Sequence, residues 1–114
     1  MNKRQRKKWL KQHNKYFDPR ETWSLDWTIA KFVYPRLKKF KKENIGFPGI
    51  FNSMDEWNEI LDKMLFSFKV LKDDCVGLEI DFDDPNWKNE IDKTNERIQE
   101  GLDLFGKYFR HLWW

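Results

Sequence analysis

The side chains best suited to recognition chemistry fall in two short runs, Trp23, Asp26 and Trp27, then Arg36, with Tyr108 near the far end of the chain. An arginine fork binds phosphate or carboxylate oxygens in pairs, while indole and phenol rings stack on planar groups. A pocket built from these five residues would hold an anion through Arg36 and a flat ring against Trp23, Trp27 or Tyr108. The packing alternative is an Asp–Arg or Glu–Arg pair buried between helices and fixing their register. Arg36 falls beside Phe32, Val33 and Phe40 in helical spacing, and Asp26 shares a face with Ile29, Ala30 and Val33. Glu100 and Arg110 border the apolar seam of the last helix in the same way. Seven tryptophans in 114 residues exceed what a core of this size needs, which favours a pocket or an interface.

Catalytic and metal-binding patterns are sparse. His13 and His111 lie far apart, and neither has a Cys or His at ligand spacing, so no zinc site is expected. The acidic run Asp73–Asp84 lacks the Asp/Asn-Gly-Glu pattern of a calcium loop and reads as a solvated loop. No phosphate-cradling glycine loop, nucleophile elbow or Cys/His pair is present. Glu59 and Asp62 share a helix face, but without a Glu-x-x-His partner they fit an exposed surface. A non-enzymatic protein without metal or cofactor is expected.

The net charge of +3 is unevenly distributed. Residues 1–16 carry seven cations and no acid, among them Lys3, Arg4, Arg6, Lys7, Lys8 and Lys11. Arg36, Lys38, Lys39, Lys41 and Lys42 form a second cluster, whereas residues 43–114 sum to −8. Such a field attracts anionic partners to one edge and disfavours uniform wrapping of DNA. The basic arm has three readings: a solvated tail, a nucleic-acid contact or a protein-docking arm. Nucleic-acid binding through Lys3, Arg4, Arg6, Lys7, Lys8, Lys11 and the Arg36–Lys42 edge predicts steep salt dependence, abolished by removing residues 1–15. No helix-turn-helix or RNA-module signature accompanies the arm.

The elements that must position these groups are helical. One chain of this length fits a basic N-terminal arm (residues 1–17) and a single helical domain (residues 18–114). The arm reads as a short basic helix that frays or docks through Trp9, ending at Asp18-Pro19. Ser24 is the expected cap of a second helix with two apolar stripes, one through Leu25, Ile29, Phe32, Val33, Leu37 and Phe40, the other through Trp23, Trp27, Ala30 and Tyr34. Two stripes predict cover from more than one side, and Pro35 predicts a kink. Residues 43–52 form a loop whose Phe47 and Phe51 tuck under the domain. Ser53 and Glu56 form a capping box before a helix that buries Trp57, Ile60, Leu61, Met64, Leu65, Phe68 and Leu71. Pro85 opens a last helix near 28 residues, roughly 42 Å long. Its glycines, Gly101 and Gly106, weaken it but admit a close neighbour. The expected fold is all-α, a small bundle of three main helices plus the short basic arm. So long a last helix, ending in Trp113-Trp114, predicts packing on the arm or projection into a second chain, hence a homo-oligomer. No apolar run is long enough to cross a membrane and no signal core follows the basic start, while the lone Cys75 fits a reducing cytoplasm.

The motifs Trp23-Ser24-Leu25-Asp26-Trp27, Pro35-Arg36-Leu37-Lys38-Lys39-Phe40-Lys41 and Gly46-Phe47-Pro48-Gly49 resemble a group of small, uncharacterised tailed-bacteriophage proteins. The resemblance continues through Trp57-Asn58-Glu59-Ile60-Leu61-Asp62, Glu100-Gly101-Leu102-Asp103-Leu104-Phe105 and Tyr108-Phe109-Arg110-His111-Leu112-Trp113, and excludes the basic arm and the acidic loop. It implies a phage product in the cytoplasm of a host bacterium and no particular reaction. Accessory proteins of this kind act by binding. The expected function is counter-defence: sequestering a nucleotide-type immune signal in the pocket above, or occluding a host protein. Nucleic-acid binding and a role in the virion or its assembly are the alternatives.

Overall fold

The computed structural model describes residues 2–13, 17–73 and 81–113. Most of the acidic loop, with Cys75, lies outside the described residues, as do Tyr16, Trp114 and the side chains of Leu10 and His13. Among the described residues four helices are present: α1 (Lys3–His13), α2 (Leu25–Glu43), α3 (Met54–Lys72) and α4 (Trp87–Lys107), with short 3-10 turns at Pro19–Thr22 and Phe109–His111. The architecture is all-α, three main helices and an N-terminal basic helix.

The bundle is open. α3 lies in the middle, with α2 packed on one flank and α4 on the other, and among the described residues α2 and α4 do not meet. The molecule measures 51 × 46 × 20 Å, with a radius of gyration of 18.2 Å against roughly 13 Å for a compact chain of about 100 residues. α3 therefore supplies most of the core: Trp57, Leu61, Met64 and Phe68 are buried, joined by Ala30 and Leu37 from α2 and Tyr108 from the end of α4.

Local chemistry explains the helix boundaries. α1 begins with a reciprocal cap missed in the sequence: Gln5 N–H donates to Asn2 Oδ1 (2.8 Å) while Asn2 N–H donates to Gln5 Oε1 (3.1 Å). Arg6 ties α1 to Asp18, which also caps the turn that follows by accepting from Arg20 N–H. The box at α3 forms with one change from its expected pattern. Ser53 Oγ accepts from Glu56 N–H, but the Glu56 carboxylate accepts from Asn52 N–H (2.9 Å), one residue earlier than the cap. Ser24 precedes α2 as expected, but its side chain makes no capping bond. Thr28 Oγ1 donates to the Glu21 carbonyl instead. α2 runs continuously through Pro35.

The last helix is shorter than its periodicity suggests. Pro85 belongs to a turn closed by Asp84, whose side chain accepts from Asn86 N–H and whose carbonyl accepts from Trp87 N–H. α4 then stops at Lys107, 21 residues long, and the 3-10 turn redirects the chain. Trp113 consequently faces the 44–48 loop rather than extending the helix axis. In that loop Phe51 tucks against Trp57 and Tyr108, with ring centroids 5.5 and 5.2 Å apart, whereas Phe47 remains partly exposed.

Gly101 is the contact point of α3 and α4. A Cβ there would lie 1.9 Å from Ser67 Oγ and 2.4 Å from the Lys63 carbonyl. Ser67, fully buried, donates to the Ile98 carbonyl at 2.7 Å, so its hydroxyl bonds across the crossing. The glycine expected to admit a close neighbour does so at 101, while a side chain at 106 would meet nothing within 4 Å.

Candidate functional site

α2 presents three chemically distinct faces, and the candidate functional surfaces lie on it. Its first face, Ala30, Val33, Tyr34, Leu37 and Phe40, packs on α3. The second carries Leu25, Ile29 and Phe32 at spacings of four and three residues, which align them in one row. All three are exposed, Phe32 at 58%, and Trp23 just before the helix is 80% exposed. The two stripes expected from the sequence do not map onto two faces: the face on α3 takes Val33, Leu37 and Phe40 from one and Ala30 and Tyr34 from the other, and leaves Trp23, Leu25, Ile29 and Phe32 uncovered.

The third face is cationic. Lys31, Lys38 and Lys42 recur at seven and four residues, a stripe of about 16 Å along the helix. Lys39 borders it, and no acid interrupts it. All four lysines are exposed. Their immediate partners are few: Lys39 approaches Glu43 at 3.8 Å, and the Lys31 ammonium sits 3.9 Å from the Trp27 ring centroid. Lys41, by contrast, bonds to Asp62 of α3 and is committed to packing. Cations in a last helical turn also complement the helix dipole, which accounts for Lys41 and Lys42 but not for Lys31 and Lys38 a turn or more earlier. Lys31 was missed in the sequence because it stands outside the local cluster; its spacing to Lys38 is the signal that recovers it.

The five residues expected to form a pocket are dispersed. Trp27 donates its indole N–H to the Lys72 carbonyl (2.8 Å), closing the C-terminal end of α3. Tyr108 is buried against Trp57 at the opposite end of α3, ring centroids 6.0 Å apart. These two rings are thus separated by most of α3, which at 19 residues is about 28 Å long. Trp23 and Asp26 are exposed at the start of α2. Arg36 folds onto its own helix, its guanidinium 3.7 Å from the Phe32 ring centroid and donating to the Phe32 carbonyl at 2.9 Å. Among the described residues no cavity gathers the five.

The register-fixing pairs are likewise not the arginine pairs suggested by the sequence. Lys41–Asp62 joins α2 to α3, and Lys63–Glu100, at 3.0 Å, joins α3 to α4. Both are exposed. Lysine fills the role because its long stem spans from one helix rim to the next while keeping the ammonium in water. The hydrogen bond that Lys63 donates to Glu100, and then the charge of that carboxylate, holds the Lys63 ammonium above the ordinary lysine range; desolvation opposes this, and Glu59 adds in the same direction.

The arm places Lys3, Arg4, Lys7, Lys8 and Lys11 in water, with Arg6 half-buried in its pair with Asp18. A separate apolar cleft of about 370 Å³ opens between the 44–48 loop and the chain end, walled by Phe47, Trp57, His111 and Trp113. Among the described residues no three His, Cys, Asp or Glu side chains converge to hold a metal ion. No described helix is long and apolar enough to cross a membrane. Comparison with known protein families, curated proteins and solved structures returned no match. The resemblance to phage proteins therefore rests on the motifs alone.

Proposed function

We propose that the protein is a phage accessory protein that acts by binding, and that its working surface is the cationic face of α2 extended by α1, directed at the phosphate backbone of nucleic acid. The carrying observation is the exposed, acid-free Lys31–Lys38–Lys42 stripe on the flank of α2 that borders α3. Lysines so placed do nothing for the core; their common property is a positive field along one line, which suits a linear polyanion. The half-exposed ring of Trp27 lies beside Lys31 at the start of the stripe and the exposed Trp23 stands four residues earlier, and both offer flat surfaces on which unpaired bases stack. That combination favours a single strand over a duplex. Capture of a small nucleotide between Trp23, Asp26, Trp27, Arg36 and Tyr108 is less well supported, because these side chains share no hollow.

Fluorescence anisotropy with a labelled single-stranded oligonucleotide tests this reading. Binding should weaken steeply with salt, the slope of log K against log salt being about −3 for four or five phosphate contacts on a single strand. Joint substitution Lys31→Gln, Lys38→Gln and Lys42→Gln should weaken binding about tenfold or more and flatten that slope. Removal of residues 1–15 should weaken it further. Binding that ignores salt, or that survives the triple substitution unchanged, would rule the surface out.

A further inference from the structure

We propose that the outer apolar face of α2 docks a second copy of the chain, the two α2 helices lying antiparallel about a twofold axis between Ile29 and Phe32. This goes beyond the nucleic-acid reading and uses a different face of the helix. Three observations carry it. First, Leu25, Ile29 and Phe32 form a row of side chains 45–58% exposed beside the stripe that packs on α3. A helix apolar over so wide an arc is normally covered on both sides.

Second, the row is palindromic. Leu25, Ile29, Phe32 and Arg36 are spaced four, three and four residues apart. Reversing the helix reproduces the spacing, so Ile29 meets the second copy's Phe32 and Leu25 meets its Arg36. An isologous contact requires this self-complementarity, and a foreign partner does not.

Third, the charges at its ends are complementary in the antiparallel sense. Asp26 flanks the start of the row and has no ion pair or hydrogen bond of its own side chain among the described residues, while Arg36 ends it. Arg36 binds one carbonyl through one nitrogen, and a guanidinium has further donors to offer. Antiparallel docking brings each Arg36 alongside the other copy's Asp26, twice per dimer, and opposes the two helix dipoles. Parallel docking would set like charges side by side. The lysine stripe lies on a separate face and stays open in the dimer.

Sedimentation velocity of the full chain over roughly 1–200 μM is the test, spanning the range expected of a small interface. The wild-type protein should move from its 14.2 kDa monomer mass toward twice that value. Phe32→Glu, at an exposed site and checked for helicity by circular dichroism, should weaken association about tenfold or more. Asp26→Arg and Arg36→Asp should each weaken it, and the two together should restore it. A chain that remains monomeric throughout, a dimer indifferent to Phe32→Glu, or a charge swap that fails to restore association each overturns the proposal. Oligonucleotide anisotropy on Phe32→Glu separates the two readings: loss of self-association with retained phosphate-backbone binding leaves the lysine face standing on its own.

Discussion

At the scale of single residues, the two glycines of α4 make opposite predictions from the same chemistry. Gly101→Ala places a methyl group against a backbone carbonyl that has nowhere to move, so it should destabilise the fold by about 2–3 kcal/mol, the usual size of core overpacking. Gly106→Ala meets open space inside a helix and should stabilise by about 0.5–1 kcal/mol. Urea denaturation of both variants checks the pair. Lys63 makes a third prediction. Its proton is held by Glu100 in the fold, so its stabilising contribution is present below the ordinary lysine pKa of about 10.4 and fades as pH rises through the higher folded value. NMR titration of the Lys63 side chain should show the raised value, and Glu100→Gln should return it toward normal.

At the scale of elements, what was legible depended on whether the signal was local. The Ser53–Glu56 cap and the apolar face of α3 are written within a few residues of each other, and both form. Ser53→Ala should cost about 1 kcal/mol, measured as a lowered midpoint of thermal unfolding. The end of α4 was not legible, because apolar spacing continues through Phe109 and Leu112 although the backbone leaves the helix after Lys107. Periodicity records which side chains are apolar, not where the chain turns. Arg36 shows the same limit. Its position among apolar residues suggested a buried carboxylate partner, but α3 approaches a different side of α2, and the guanidinium settles on Phe32. The candidate pocket failed to gather for a related reason. Trp27 and Tyr108 are each drawn to α3, but to opposite ends of it.

At the scale of the whole molecule, the open row means that stability is unevenly shared. α3 is covered on both flanks, while among the described residues α1 packs on none of the three main helices. Hydrogen exchange should therefore find the slowest amides in the middle of α3, around Leu61 and Met64, and the fastest in α1. The placement of α3 also bears on how the chain reaches its fold. Each packed pair joins helices that are neighbours in sequence, so the native topology forms by closing short connections, the circumstance in which small proteins fold within microseconds to milliseconds. Neither flank has another helix to lean on until α3 exists. Truncations at Leu61 or Met64 should then slow folding itself, whereas lesions on the far side of α4 should chiefly hasten unfolding, giving the two sets of φ-values opposite extremes.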